Sequence, residues 1–340
     1  MHATIADIAR EAGFSTATVD RVLNGRDGVR PRTREIVLGV AARLGYLPEA
    51  QPMAGGADAA VVPLDVLLPG GTNTFIDDLA GHFEAIAATR PDIRLTLHRI
   101  DAFDPDGLAQ ALEALRGRSR GVALIGLDHP VVREAIRALA GSGVPVMTLV
   151  SDISHVPRFA YVGIDNRAAG RLAGHLLGRF LRPGGGKVAL FAGSLSYRGH
   201  EEREIGFRNV LAEDHPALSI VELREVREDT ERAFREASAL LARHPDLAGI
   251  YNIGGGSRGI ARALAEHERE RQVVFIGHEV TAHTRRFLLS GVMDAAIDQN
   301  PRLEAEATID RLARAARGGT QPAAAPIRIQ AIFRENIPES

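Results

Sequence analysis

The sequence predicts an α/β protein in which an N-terminal three-helix helix-turn-helix domain precedes two doubly wound parallel sheets. At 340 residues the chain is too long for one small core, so at least two domains are expected. Short amphipathic helical segments fill the region up to residue 45, and apolar strand-like runs alternate with helical ones beyond residue 63. Because this alternation is typical of parallel strands connected by helices, both sheets should carry helices on their faces.

The first predicted helix begins after Thr4, which can cap it, with Asp7 three residues on as an approximate capping box. Gly13 is expected to end this helix. Its apolar residues recur at the spacing of one helical face. They are Ile5, Ile8, Ala9 and Ala12.

Two more short helices are predicted before residue 46. Ser15 can cap the second helix. Pro31 opens the third, because the fixed φ of proline suits a first helical turn. The predicted inward side chains of the second helix are Val19, Val22 and Leu23. Those of the third are Ile36, Val37, Val40 and Leu44.

Residues 48–63, PEAQPMAGGADAAVVP, contain three prolines and two adjacent glycines and show no convincing period. This composition predicts a linker. The predicted domain boundaries are therefore 1–47 for the helical domain, 48–60 for the linker and 61–338 for the remainder.

Ten candidate strands follow the linker, and helical stretches such as 106–117, 167–181, 230–243 and 301–316 separate most of them. In order they are VPLDVLLPG, IRLTLHRID, GVALIGLD, PVMTLVSD, AYVGIDN, GKVALFAG, SIVELREV, AGIYNIGG, QVVFIGHE and MDAAIDQN. So many strands over about 240 residues fit two sheets better than one. Ligands in such folds bind beyond the carboxyl ends of the strands. The polar residues expected there are Asp128, Asp152, Asp165, Asn252, Glu279 and Gln299.

The first two helices and their glycine-containing turn have helix-turn-helix spacing. The side chains expected to face outward, in the part of the second helix that enters a major groove, are Thr16, Ala17, Asp20 and Arg21. Arg21 can pair with a guanine edge. Phosphates can be bound by Ser15, Thr18 and Asn24. The predicted DNA-contacting set also includes Thr4, Arg30 and Thr33. The same spacing fits a three-helix cap without a DNA function.

The net charge of −2 does not exclude DNA binding, because non-specific affinity depends on where cations meet phosphates. Residues 21–34 hold five arginines and one acid, a local net charge of +4. All basic residues except Lys187 are arginine. A single arginine is therefore weaker evidence than usual for a site that binds a phosphate or a carboxylate through two parallel hydrogen bonds.

The segment TIADIAREAGFSTATVDRVLNGRDGVRPRTREIVLGVAARLGYLP resembles the DNA-binding domain of the lactose-repressor (LacI) family of transcriptional regulators. That family carries a T-x-x-D-I-A-x-x-A-G-x-S-x-x-T-V-x-R-V-L-N string and then a helix closing in L-G-Y-x-P. The stretches YVGIDNRAAGRLAG and AIDQNP resemble its effector domain, which is similar to periplasmic sugar-binding proteins. The resemblance extends over almost the whole chain.

This resemblance implies a two-lobed, periplasmic-binding-protein-like (type I) domain for effector binding and dimerisation. Lobe one is expected at residues 61–163 and 300–322, and lobe two at residues 164–299 and 323–338. The implied protein is a cytoplasmic homodimeric repressor, neither an enzyme nor a user of cofactors, that binds a pseudo-palindromic operator in double-stranded DNA. A small sugar or polyol effector between the lobes would control it.

Two departures from the family pattern carry predictions. The family usually has a small neutral residue where Asp20 stands. An acid there can accept from a cytosine amino group or disfavour other bases, or it can be neutralised by Arg21 or Arg26. The family's hinge normally forms a short helix with a leucine in the minor groove, but EAQPMAGG opposes a helix. The residues responsible are Pro52, Gly55 and Gly56.

The turn YNIGGGSRGIARAL, residues 251–264, fits two incompatible motifs. The G-x-G-x-x-G pattern of dinucleotide sites is matched by Gly254, Gly256 and Gly259. The G-x-S-x-G nucleophile elbow is matched by Gly255, Ser257 and Gly259. The hydrolase interpretation fails because no histidine follows His283, which lies only four residues beyond Glu279. The remaining interpretation is a tight turn at which Asn252 and Arg258 face the interlobe cleft.

No metal site and no catalytic residue are predicted. HEVTAH, residues 278–283, is one residue too long for H-E-x-x-H and begins at a strand end. With no cysteine in the chain, disulfides and thiolate sites are excluded.

The predicted effector site combines an aromatic wall with groups that bind hydroxyls. Against sugar-binding proteins of this fold, Phe75 matches the wall, Asn252 and Glu279 match hydroxyl binders, and Gln299 matches a residue at the lobe crossing. Arg203 falls in the segment that supplies an arginine. Strand and loop ends add Asp128, Asp152 and His200. Each can instead be a helix cap, a member of an interlobe salt bridge or a solvent-exposed group.

Several acids in this cleft favour a neutral polyol or pentose-like ligand over a sugar phosphate. Glu279 stands where an aspartate is usual, so the sugar need not be the one that relatives bind. Two rival hypotheses remain, a sugar-binding receptor without DNA function and a nucleotide-dependent enzyme using residues 254–259. The receptor predicts a signal peptide, but Asp7, Arg10 and Glu11 stand where its apolar core should be. No apolar run is long enough to predict a membrane span.

Overall fold

The computed structural model describes residues 4–23, 33, 36–37, 40–41, 44, 61–181, 184–320 and 327–338. The chain forms two compact units, Met1–Ala60 and Val61–Ser340. Among the described residues, no helix combines the length and apolar composition that a membrane span requires.

Helix α1 of the first unit, Ile5–Ala12, is closed at both ends by local bonds. The Asp7 N–H donates to Thr4 Oγ1 over 3.3 Å, and the Thr4 N–H donates to an Asp7 carboxylate oxygen over 3.0 Å. Gly13 ends the helix in the left-handed conformation, with φ of 73°. The predicted capping box and helix end are therefore confirmed.

Helix α2, Thr16–Leu23, begins where Ser15 Oγ accepts from the Thr18 N–H over 3.2 Å. Its buried residues, Val19 and Val22, were both predicted to face inward. They pack with residues of α1 and of the third helical segment, of which positions 33, 36, 37, 40 and 41 are described as helical.

Ile36 was predicted to face inward, and this is wrong, because its exposed fraction is 42%. Val37, Val40 and Ala41 form the buried stripe instead. A residue one position before a helical stripe is rotated by about 100° from it, which places Ile36 outside the core.

The second unit contains two mostly parallel sheets, and the predicted class of fold is confirmed. The first sheet has the order β2-β1-β3-β4-β5, with every neighbouring pair parallel. Its strands are β1 Val62–Gly70, β2 Ile93–Asp101, β3 Val122–Leu124, β4 Val146–Leu149 and β5 Ala160–Val162. The helices between them are α3 Thr74–Ala88, α4 Pro105–Ala114 and α5 Pro130–Gly141.

The second sheet has the order β11-β10-β9-β8-β6-β7. Its strands are β6 Gly186–Ala192, β7 Leu218–Glu225, β8 Leu247–Asn252, β9 Val274–His278, β10 Ala295–Asp298 and β11 Gln330–Ile332. The accompanying helices are α6 Asn166–Phe180, α7 Arg198–Asp214, α8 Thr230–Arg243, α9 Ser257–Glu266 and α10 Ala282–Ser290. All ten predicted strands are present, and only β11, which pairs antiparallel with β10, was not predicted.

The chain changes sheets after β5, after β10 and again before β11. Helix α11, Pro301–Ala316, follows β10 of the second sheet but packs against α3 and strands of the first. The chain then returns to the second sheet as β11. Three crossings join the two halves of this unit, and they place the carboxyl ends of the strands of both sheets around one cleft.

Candidate functional site in the cleft between the two sheets

A cavity of about 330 Å³ lies at the carboxyl ends of the strands of the second unit. Residues after β1, β2 and β4 line it from the side of the first sheet, and residues after β6 to β10 line it from the other. The polar and aromatic lining includes Asn73, Phe75, Asp101, Phe103, Ser151, Tyr197, His200, Arg203, Glu228, Ser257, Arg258, His278, Glu279 and Gln299. This is the position at which ligands bind in doubly wound folds.

The structure brings five of the eight predicted effector residues to this cavity. They are Phe75, His200, Arg203, Glu279 and Gln299. Phe75, in the first turn of α3, supplies an apolar surface. The other four supply hydrogen-bonding groups from the second half of the chain. The predicted aromatic residue and four of the predicted polar residues thus lie around one cavity.

Asp128 and Asp152 are not among the residues that line the cavity, because protein partners hold both carboxylates elsewhere. Asp128 pairs with Arg133 at 2.6 Å, and its other oxygen accepts from the Ser154 N–H. Asp152 pairs with Arg158 at 2.7 Å. Both residues therefore form ion pairs, but each pair lies within residues 61–163 and is not the interlobe salt bridge named as an alternative.

Asn252, the third residue outside the lining, lies behind the glycine-rich turn and is fully buried. Its amide Nδ2 donates to the Gly254 and Gly255 carbonyls over 2.7 and 3.2 Å, and lies 2.9 Å from Ser257 Oγ. These bonds hold the turn in place, so Asn252 shapes the cavity wall from behind.

Arg203 lines the cavity, but its hydrogen-bond donors are committed to protein partners. Nε donates to Asn166 over 2.7 Å, Nη1 donates to the Ile253 carbonyl over 2.9 Å, and Nη2 lies 3.5 Å from Gln299 Oε1. The guanidinium therefore supplies positive charge and holds neighbouring groups in position. It offers few donors to a ligand.

Glu279 is a buried carboxyl with one oxygen unpartnered. Oε1 accepts from Gln299 Nε2 over 2.6 Å, whereas Oε2 has no hydrogen-bond partner. Burial raises the pKa of Glu279 to about 8, and the charge of Asp298 adds to this effect. At neutral pH the carboxyl is largely protonated, so it can both donate to and accept from a hydroxyl.

His278 adds a second unpartnered polar atom beside Glu279. Its Nε2 lies 2.8 Å from the Tyr251 hydroxyl, and its buried Nδ1 has no partner. Burial holds the pKa of His278 well below the ordinary value, so the ring is neutral. The cavity therefore presents a protonated acid and a neutral imidazole nitrogen that both lack a partner, and a ligand rich in hydroxyls complements them because a hydroxyl can both donate and accept.

Sequence reasoning missed the residues that join the two sides of the cleft at its mouth. The Tyr197 hydroxyl donates to the Ala102 carbonyl over 2.7 Å. The Arg227 guanidinium lies over the Phe103 ring at 5.6 Å. Asn73 Nδ2 donates to the Glu228 carboxylate. All lie on loops or helix ends, where hydrophobic periodicity gives no signal.

The first unit presents part of the predicted DNA-contacting set. Thr16, Ala17 and Arg21 are exposed on α2, and Asp20 is partly buried. The Ser15 and Thr18 hydroxyls lie 2.9 Å apart, and Thr4 caps α1. Thr33 is partly buried. Asn24, Arg30 and the hinge residues Pro52, Gly55 and Gly56 lie outside the described residues.

In the described part of the chain, no group of three or more histidine, aspartate or glutamate side chains is arranged to hold a metal ion.

Comparison with known proteins matches each unit to a different family model. Residues 4–49 match the family model for bacterial regulatory proteins of the lacI family. Residues 64–320 match the periplasmic binding protein domain.

Similar proteins include catabolite control protein A of Priestia megaterium, 32% identical over 214 residues, 63% of this chain and 62% of that protein. Catabolite control protein A of Staphylococcus xylosus is 30% identical, with 69% and 70% covered. The HTH-type transcriptional regulator DegA of Bacillus subtilis is 26% identical, with 73% and 72% covered. The match thus spans less than two thirds of the length of the first of these relatives.

Solved structures share the fold of the second unit. GanP, a glucose-galactose binding protein from Geobacillus stearothermophilus, has a TM-score of 0.74 at 24% identity, and 82% of this chain and 99% of that one are covered. A solute-binding protein from Burkholderia graminis in complex with D-arabinose has a TM-score of 0.76 at 24% identity, with 82% and 97% covered. With a helix-turn-helix at one end and this fold over the rest, the chain belongs to the lacI family of bacterial regulatory proteins.

Proposed function

We propose that this protein is a DNA-binding transcriptional repressor controlled by a small sugar- or polyol-like ligand in the cleft cavity. One observation carries the proposal. A helix-turn-helix of the regulator family stands in the same chain as a cleft cavity that contains unpartnered polar groups able to bind hydroxyls. A regulator needs both parts, because a coupling free energy requires two distinct sites.

The DNA contacts are assigned to α2 and its surroundings. Arg21, Thr16 and Ala17 face base edges, and Asp20 tunes which bases are accepted. Phosphates are bound by Ser15, Thr18, Asn24, Arg30, Thr33 and Thr4. A homodimer places two such helices on the half-sites of a pseudo-palindromic operator, because two-fold symmetry in the protein imposes it on the site.

The ligand contacts are assigned to the cavity. Phe75 packs against the face of the ring, and the Glu279 carboxyl and His278 Nδ1 bind hydroxyls. Gln299 and Arg203 hold Glu279 and the lobe crossing in position. A buried polar atom without a hydrogen-bond partner destabilises the protein. A ligand hydroxyl that bonds to such an atom therefore increases the affinity of the ligand.

The DNA function is tested by capturing sheared genomic DNA of the source organism with the full-length protein and sequencing it. We expect enrichment of a pseudo-palindromic site. Arg21→Ala should weaken binding to that site by about 5- to 150-fold, the loss of one base contact of about 1–3 kcal/mol. Arg171→Ala, which removes the same charge from an exposed pair with Glu213, is the matched control and should bind like the parent. No enrichment, or equal binding by Arg21→Ala, would contradict the assignment.

The ligand is sought by thermal unfolding of the full-length protein with a panel of free sugars and polyols. A ligand at about 100 times its Kd should stabilise the native state by about 2.7 kcal/mol. Glu279→Leu should abolish that stabilisation. The exposed-site variant Glu213→Leu should retain it.

A further inference from the structure

We propose that Glu228 is the specificity-determining residue that excludes phosphorylated ligands, because its carboxylate fills the anion position at the glycine-rich turn 254–256. This inference rests on the proposed function and narrows its ligand class to uncharged sugars or polyols. It also explains a motif, G-x-G-x-x-G, that the repressor function leaves unused.

The Glu228 carboxylate is held at the turn by groups from both sides of the cleft. The Gly255 N–H and Asn73 Nδ2 both donate to it. The backbone that carries this carboxylate is in the left-handed conformation, because Arg227 and Glu228 have φ of 50° and 61°. Conformations of this kind persist where the surrounding structure requires them and are concentrated at ligand sites.

Glycines clear the space that this carboxylate occupies. A Cβ at Gly193 or Gly255 would collide with the carboxylate oxygens of Glu228. A Cβ at Gly254 would lie 3.0 Å from Oε1 and 2.8 Å from the His200 ring. The glycines thus make room for a side chain of the protein itself, where the sequence pattern predicts a bound phosphate.

A glycine-rich turn that opens a helix is a natural position for a phosphate, because its N–H groups and the helix dipole attract anions. Helix α9 begins at Ser257, directly after this turn. Here the position already holds an acid, so a phosphate must displace it or lie beside it. Burial raises the pKa of Glu228, whereas the Gly255 and Asn73 bonds lower it, and the carboxyl fills the volume in either protonation state.

Arg227 and Arg258 also line the cavity, so the exclusion of phosphate is assigned to the occupied turn and not to a lack of positive charge. The Arg203 donors are committed to Asn166, Ile253 and Gln299. Glu279 Oε2 and His278 Nδ1 are unpartnered, and a hydroxyl, which can both donate and accept, can bond to either of them. Glu228 therefore completes a cavity selective for uncharged ligands.

The test is isothermal titration of the full-length protein with inorganic phosphate at neutral pH and fixed ionic strength. The parent should show no saturable binding in the cavity. Glu228→Ala vacates the turn and should bind phosphate at least about tenfold more tightly than the parent, a difference of 1.4 kcal/mol or more. Glu228→Gln keeps the shape but not the charge and should gain less.

Asp101→Asn is the matched control, because it neutralises another cavity acid away from the turn. It should bind phosphate like the parent. An equal gain in Asp101→Asn would show a general charge effect and overturn the proposal, as would folded Glu228 variants that gain nothing. Glu228→Gln preserves the side-chain volume, so the comparison survives if Glu228→Ala fails to fold.

This titration needs no DNA, and its outcome is therefore separate from that of the genomic capture. If the capture fails while Glu228→Ala gains phosphate, the repressor assignment falls and the role of Glu228 stands. If the capture succeeds and neither Glu228 variant gains phosphate, the repressor stands and this inference falls.

Discussion

Glu279 couples protonation to folding, because burial raises the pKa of its carboxyl to about 8 from the ordinary 4.5. The folded state holds this proton more tightly than the unfolded chain. The contribution of Glu279 to the free energy of unfolding is therefore complete below about pH 4.5 and is lost as the pH rises through about 8. Burial lowers the pKa values of His200 and His278, so their contributions to the free energy of unfolding increase as the pH rises. This increase ends near pH 6.5, the ordinary pKa of histidine.

We therefore expect the free energy of unfolding of the parent to fall relative to Glu279→Gln between pH 6.5 and 8. The limiting slope for one proton is about 1.4 kcal/mol per pH unit. Urea unfolding across this range measures the difference between the two proteins, in which the contributions of groups that do not interact with Glu279 cancel. Parallel curves would show that Glu279 does not hold a proton in the folded state.

Arg203 illustrates how one buried side chain positions several others. Arg203→Met leaves acceptors of Asn166 and Ile253 unpartnered inside the protein. We expect it to lower the free energy of unfolding by about 2–4 kcal/mol, since each orphaned buried acceptor costs about 1–3 kcal/mol. Arg171→Met, at an exposed pair with Glu213, should change it by less than about 1 kcal/mol. Equal unfolding midpoints for the two variants in urea would contradict the positioning role.

The predictability of the site also differs residue by residue. Phe75, Arg203, Glu279 and Gln299 were found because their places after strands or in family-like segments are visible in the sequence. Asp128 and Asp152 have the same visible signal but are paired with Arg133 and Arg158, which lie only five and six residues further along the chain. The role of Glu228 depends on glycines distant in sequence, so no local pattern indicates it.

At the scale of elements, helices α6 and α7 approach so closely that glycine is required between them. A Cβ at Gly170 in α6 would collide with the backbone of Arg203 in α7. We expect Gly170→Ala to lower the free energy of unfolding by about 1–3 kcal/mol through overpacking.

Gly81 in α3 provides the control, because nothing lies within 4 Å of a Cβ built there. Gly81→Ala should raise the free energy of unfolding by about 0.5–1 kcal/mol, since alanine loses less conformational entropy in a helix. Both variants can be compared by urea denaturation. A destabilised Gly81→Ala beside an unchanged Gly170→Ala would reverse the expected order.

Elements were the most predictable feature, because ten strands and their intervening helices carry periodic apolar residues. Strand β11, Gln330–Ile332, was missed because its antiparallel pairing with β10 is a tertiary contact that no local pattern indicates. Ile36 was misassigned because a row of adjacent apolar residues leaves the edge of a helical stripe undefined. The pattern therefore predicts elements more reliably than it predicts which marginal residue each one buries.

For the whole molecule, ligand control of the repressor requires that ligand binding in the cavity change the DNA affinity of α2. Three chain crossings link the two sheets, and contacts such as Tyr197 with Ala102 and Asn73 with Glu228 close the cleft. A ligand that stabilises this closed cleft changes DNA affinity only if it has different affinities for two states of the protein. The proposed function therefore depends on the coupling free energy between ligand binding and DNA binding as well as on the two sites themselves.

The most direct measurement is the affinity of the full-length protein for its captured DNA site, at fixed salt, without the stabilising sugar and at its saturation. We expect the DNA affinity to change by about 5- to 150-fold between the two conditions, which corresponds to a coupling free energy of about 1–3 kcal/mol. The change should be absent in Glu279→Leu, which retains DNA binding but cannot bind the ligand. Identical affinities at zero and saturating ligand, in a parent protein that binds both, would contradict ligand control of the repressor.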